Sequence, residues 1–139
     1  MDMEVKVRIK TSQCLDNGEV QTIESFYRGE QIEKNGSIYI TFLEYDTIKD
    51  SKTTIKISDE EVLILKSGEV KTRMKFKEGV KFRSTYSTPY GNFDMSIYTY
   101  KISKKITNKN IKVNLDYKIK ISGLMDANNR IELRVIPEV

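Results

Sequence analysis

Ile111-Lys112-Val113-Asn114-Leu115-Asp116-Tyr117-Lys118-Ile119-Lys120-Ile121 alternates apolar and polar residues without a break. A period of two sends successive side chains to opposite faces of a strand, one toward a core and one toward water. Two-faced strands of this kind belong to antiparallel sheets; parallel strands are apolar on both faces. The same alternation recurs outward from this run. Val70, Thr72, Met74 and Phe76 alternate with Lys71, Arg73, Lys75 and Lys77, and Met3, Val5, Val7 and Ile9 with Glu4, Lys6, Arg8 and Lys10.

Turn residues separate the runs. Asn17-Gly18 and Asn35-Gly36 supply the positive φ that two-residue hairpin turns require. Ser67-Gly68, Glu78-Gly79 and Pro89-Tyr90-Gly91 act similarly, and Asp126 to Asn129 is read as the last turn. The expected strands span 3–14, 20–33, 37–46, 53–58, 61–66, 69–77, 80–87, 92–102, 111–122 and 130–136. Val20 and Ile23 do not share a face of a regular strand, so a β-bulge or bend is expected near them and Gly29. Ser103 to Asn110 reads as a polar, mobile loop. No amphipathic helix of useful length is present.

A long antiparallel meander leaves two exposed edges, and closure removes them. The expected fold is therefore all-β: a closed or nearly closed up-and-down barrel of about 8–10 strands, spanning residues 1–139 as one domain. The inward set is bulky, with Ile38, Ile40, Phe42, Met74, Phe76, Phe82, Tyr86, Phe93, Met95, Ile97, Leu115, Tyr117 and Leu133. That volume predicts a mostly filled interior with a small cavity at best.

Composition narrows the chemistry. The 139 residues include no histidine, no tryptophan and one cysteine. Catalytic sites and metal centres built on histidine are excluded, as is an intrachain disulfide. No apolar run approaches the ~20 residues of a membrane-spanning helix, and no secretory leader is evident, so a cytoplasmic location is expected. Residues 1–70 hold nine basic and fourteen acidic groups, and residues 71–139 hold fifteen and six.

Several segments resemble the YwiB-like family of bacterial proteins. They are Ser67-Gly68-Glu69-Val70, Met74 to Gly79, Tyr86-Ser87-Thr88-Pro89-Tyr90-Gly91-Asn92-Phe93, the hairpin Tyr27 to Ile40, and Lys52 to Ile57. The Thr-Pro-Tyr-Gly turn is the most specific of these. The resemblance implies a calycin-like barrel of the lipocalin and streptavidin architecture, in the cytoplasm of low-GC Gram-positive bacteria. It implies no activity and supplies no functional residues.

The candidate residues then come from the pattern alone. Arg83, Tyr86 and Tyr90 surround the Pro89 turn and form a candidate rim for a ligand mouth. Tyrosine has an apolar body and a wettable tip, and arginine pairs with carboxylate or phosphate in a fork. Thr72, Ser84 and Thr99 fall on otherwise apolar faces, where buried hydroxyls need partners. Lys71, Arg73, Lys75, Lys77, Lys81 and Arg83 project outward from what read as adjacent strands and would form a basic strip. With no histidine in the chain and no helix expected to activate it, Cys14 reads as an incidental thiol. Asp59-Glu60-Glu61 and Glu44 with Asp46 lack the spacing of a cation-binding loop.

The expected function is a non-enzymatic barrel that takes a small, partly apolar molecule in its mouth, without metal or cofactor. The alternative is an anion- or RNA-contacting module using the basic face of 71–83. Nucleic acid is not the expected partner, because the outward positions of those two strands carry no stacking aromatics.

Overall fold

Ten strands form where ten were expected, and no described residue is helical. The computed structural model describes residues 2–45 and 50–138. The strands are β1 (Asp2–Leu15), β2 (Val20–Lys34), β3 (Ser37–Tyr45), β4 (Asp50–Ile57), β5 (Glu61–Ser67), β6 (Thr72–Lys77), β7 (Lys81–Thr88), β8 (Gly91–Ile106), β9 (Ile111–Ile121) and β10 (Met125–Pro137). All belong to one antiparallel sheet, in the order β6-β5-β4-β3-β2-β1-β10-β9-β8-β7. Consecutive strands pair as hairpins except β6 and β7, and β1 pairs with β10, from Val5 opposite Pro137 to Leu15 opposite Ala127.

This order leaves β6 and β7 as the two ends of the sheet, and they close the barrel incompletely. Lys71 and Ser87 exchange both backbone hydrogen bonds, at 2.9 and 3.1 Å. The Ser84 hydroxyl donates to the Arg73 carbonyl at 2.8 Å, so a side chain stands in for part of the missing ladder. At the other end the closure passes to β8. The Gly79 N–H donates to the Thr99 carbonyl at 2.9 Å, and the Ile102 N–H donates to the Glu78 carboxylate at 2.7 Å. Lys104 bonds the carbonyls of Ser58 and Asp59 in the β4–β5 turn. The result is a nearly closed, ten-stranded antiparallel barrel.

Local chemistry explains the turns. Asn35 and Gly36 both hold positive φ, at 53° and 79°, as a two-residue hairpin turn requires. At the β7–β8 turn the Thr88 hydroxyl accepts from the Tyr90 N–H at 3.1 Å and donates to the Gly91 carbonyl at 3.0 Å. Gly91 there has φ 140°.

Every odd residue from Ile111 to Ile121 is buried, as the alternation requires. These residues join Val5, Val7, Ile40, Ile55, Ile57, Val62, Phe76, Met95, Ile97, Leu133 and Val135 in one core. Phe76 meets Tyr117 edge-on at 4.9 Å and plugs that part of the interior.

Three local expectations change. The last turn lies at 122–124, just before β10 starts at Met125, so Asp126 to Asn129 is strand and Ala127 is buried. β8 continues to Ile106, held by Lys104, so the connecting loop is confined to 107–110. β2 keeps regular register with β1 past Val20 and Ile23; the two residues simply point to opposite faces. The bulge is instead in β8, between Thr99 and Lys101.

Candidate functional site

β2 pairs with β1 over residues 20–32 but with β3 only over Gly29–Lys34. Gly29 is where β2 and β3 part. A β-carbon there would lie 2.6 Å from the Thr41 carbonyl oxygen and 3.1 Å from the Phe42 β-carbon, so the close approach needs glycine. Beyond it the inner faces separate, and Tyr27 stacks on Phe42 at 4.5 Å in the base of the wedge.

The gap opens into a cavity of about 360 Å³ inside the barrel. Its deep wall is apolar, formed by Ile55, Val62, Val113, Leu115 and Leu133, each no more than 4 % exposed. Ile23, 68 % exposed, marks the mouth, and Thr11, Ser25, Thr72 and Tyr86 line the sides. The interior is therefore less filled than the bulky inward residues suggested. Small residues occupy inward positions toward this end, and the apolar plug is confined to the region of Phe76.

Among the described residues, one charged pair faces the cavity. The Lys66 ammonium lies 3.2 Å from the Glu44 carboxylate. Thr53 and Ser51 donate hydroxyls to the same carboxylate, each at 3.4 Å. Register explains the cluster: Glu44 is opposite Ser51 and Thr53 is opposite Lys66. The sequence reading missed the pair, although parity carried a signal. Glu44 continues the inward series Ile40, Phe42, and Lys66 continues Val62, Ile64.

The structure disperses the three candidate rim residues. Tyr86 lines the cavity. Arg83 is exposed on the outer surface, and Tyr90 stands 95 % exposed at the β7–β8 tip. Among the inward hydroxyls, Thr72 lines the cavity, Ser84 serves closure, and Thr99 is fully buried with its hydroxyl unpartnered. Cys14 is exposed. Glu61 and Glu60 pair with Lys75 at 3.3 Å and Lys77 at 3.9 Å, and Asp46 lies outside the described residues.

The basic strip also changes form. Lys71, Arg73, Lys75, Lys77, Lys81 and Arg83 all belong to the outer surface. Because β6 and β7 do not ladder, they are not continuous cross-strand neighbours, and two of them are matched by carboxylates. A different outer patch combines charge with aromatic rings. The β8 bulge leaves Tyr98 and Tyr100 both exposed, ring centroids 5.3 Å apart. Tyr98 is opposite Lys81 on β7 and Lys118 on β9; Arg83 and Lys120 flank Ser96 one step along the same face. The sequence signal was the switch of inward parity from Ile97 and Thr99 to Ile102.

Beneath that bulge, Tyr117 accepts a hydrogen bond from the Asn129 amide at 3.3 Å. Burial raises the Tyr117 pKa to about 12, and the Asn129 hydrogen bond acts in the opposite direction.

Residues 7–133 match the family described as domain of unknown function DUF1934. The chain belongs to that family. The "uncharacterized beta-barrel protein YwiB" of Bacillus subtilis (strain 168) is 26 % identical to it over 102 residues, covering 73 % of this chain and 72 % of the relative. The crystal structure of the YwiB protein from Bacillus subtilis superposes with a TM-score of 0.89 at 20 % identity, over 99 % of this chain and 94 % of that one. The DUF1934 assignment thus rests on the family match, and the barrel on the structural superposition. Among the described residues, no helix is long and apolar enough to cross a membrane.

Proposed function

We propose that this barrel is a binding protein for a small, partly apolar molecule, held in the cavity between the parted strands β2 and β3. The cavity carries the reading: about 360 Å³, apolar at depth, with hydroxyls and one ion pair facing it. That volume falls within the ~300–1,000 Å³ of small-molecule pockets, and the mixture of apolar wall and few polar groups is what such pockets use for affinity and orientation. Tyr86 contributes to the wall; Arg83 and Tyr90 belong to the surface around the Pro89 turn. The test is a thermal-shift screen with chemically broad metabolites. A ligand at 100 times its Kd adds ~2.7 kcal/mol of stability. Consistent failure to shift the melting temperature overturns the reading.

A second reading is supported by the tyrosine pair on β8. Single-stranded nucleic acid binders combine basic residues with aromatic platforms, and Tyr98 and Tyr100 stand beside Lys81, Arg83, Lys118 and Lys120. This replaces the strip at 71–83 as the anion-contacting face. It predicts oligonucleotide binding that weakens steeply with salt and is lost in Tyr98→Ala. Binding unchanged by either removes it.

A further inference from the structure

The geometry points to a neutral amphiphile as the class of ligand: an apolar body with a head group, such as an alcohol or amide, that both donates and accepts hydrogen bonds. This rests on the cavity-binding reading above.

Among the described residues, the polar end of the cavity is electrically balanced: Glu44 and Lys66 are the carboxylate and ammonium groups lining it, and they neutralise each other at 3.2 Å. The Glu44 side chain is only 19 % exposed, so water compensates poorly for loss of its partner, while Lys66, 36 % exposed, is the better hydrated of the two. The other polar groups nearby are hydroxyls. Thr53 and Ser51 already donate to Glu44, while Thr11, Ser25 and Thr72 add further neutral donors and acceptors.

A carboxylate ligand would draw Lys66 away and strand the Glu44 charge. An ammonium ligand would strand Lys66. Either must also shed its own hydration to enter an apolar chamber, and an unpaired charge in such surroundings is costly. A neutral head avoids both penalties. It can donate to Glu44 and accept from the Lys66 ammonium, whose only ion-pair partner among the described residues is Glu44. Taking ~30 Å³ for each non-hydrogen atom, as for water, the cavity of about 360 Å³ admits a body of about a dozen such atoms.

Decanol, decanoate and decylammonium share one chain and differ in head charge. Calorimetric titration of the full chain with each, near neutral pH, tests the assignment. Decanol is expected to bind about tenfold tighter, or better, than either ion. Glu44→Gln removes one charge and should make decanoate the tightest of the three; Lys66→Met should do the same for decylammonium. Circular dichroism and melting temperature establish that each variant is folded. Should a variant fail to fold, the wild-type ranking alone decides. A wild-type protein that binds decanoate or decylammonium as tightly as decanol overturns the neutral-ligand assignment but leaves cavity binding standing, as does a ranking that does not move in folded variants. No binding of any of the three overturns this assignment and counts against cavity binding as well.

Discussion

The Thr41 carbonyl oxygen lies only 2.6 Å from where a β-carbon on Gly29 would sit, at the last rung joining β2 to β3. One missing methyl group thus sets where the barrel wall opens. Gly29 does not hold a positive φ, so the demand is steric alone. Gly29→Ala forces backbone apart at a half-buried rung and should cost ~1–3 kcal/mol, as overpacking does. Urea denaturation measures it; a variant as stable as the parent would mean that the two strands can separate further at no cost.

Filling the cavity should separate binding from stability. Ser25 lies on the inner side of β2 opposite Ile9 and lines the chamber near its mouth. Ser25→Phe places a large ring in that space. The expected outcome is a thermal shift with ligand reduced to near zero and an unliganded melting temperature within a few degrees of the parent. A ligand response that survives the ring would put the binding site elsewhere.

Phe76 and Lys75 are sequence neighbours with opposite environments. Phe76 is fully buried against Tyr117, whereas Lys75 makes a partly exposed ion pair with Glu61. Phe76→Ala should cost ~3–5 kcal/mol through lost burial and a cavity. Lys75→Ala should cost no more than ~1 kcal/mol, the usual limit for a surface pair. Denaturant midpoints of the two variants provide the comparison, and a larger loss from Lys75 would contradict the strand phase.

Alkaline pH should weaken the fold through Tyr117. Its folded pKa of about 12 exceeds the unfolded value of 10.0. The unfolded chain therefore releases this proton first, so the stabilisation is fully present below pH ~10, falls as pH rises, and is lost near 12. The loss amounts to about 3 kcal/mol by that linkage, at one pKa unit per ~1.4 kcal/mol. Stability measured from pH 9 upward should decline less steeply in Tyr117→Phe than in the parent. Parallel curves would show that Tyr117 ionises alike in both states.

Much of the fold was readable because its determinants are local. Asn35-Gly36 fixes a turn and hence a register, and the alternation from Ile111 to Ile121 fixes a face. The bulge at Thr99 was misplaced to β2 because apolar residues on both faces of a strand, Val20 and Ile23, imitate a break in phase. The site was less legible. Glu44 and Lys66 meet only after two strand registers across β4 are set, and the parting at Gly29 depends on how closely Thr41 approaches. Tyr86 lines the cavity because its inward parity is local, whereas Arg83, of opposite parity, faces outward and Tyr90 sits at the tip of the β7–β8 turn.

The pairing of β1 with β10 has a consequence during synthesis. β10 begins about 110 residues after β1 ends, which at ~5–20 residues per second is a wait of ~5–20 s. Throughout that interval β1 can have its β2 neighbour but not its other one, and each nascent chain carries an unpaired edge beside others on the same message. Lys6, Arg8 and Lys10, set at every second position along β1, are the kind of charges that keep such edges apart. Their value to the cell then lies partly in chains that are not yet complete, where no measurement on the finished barrel would register it.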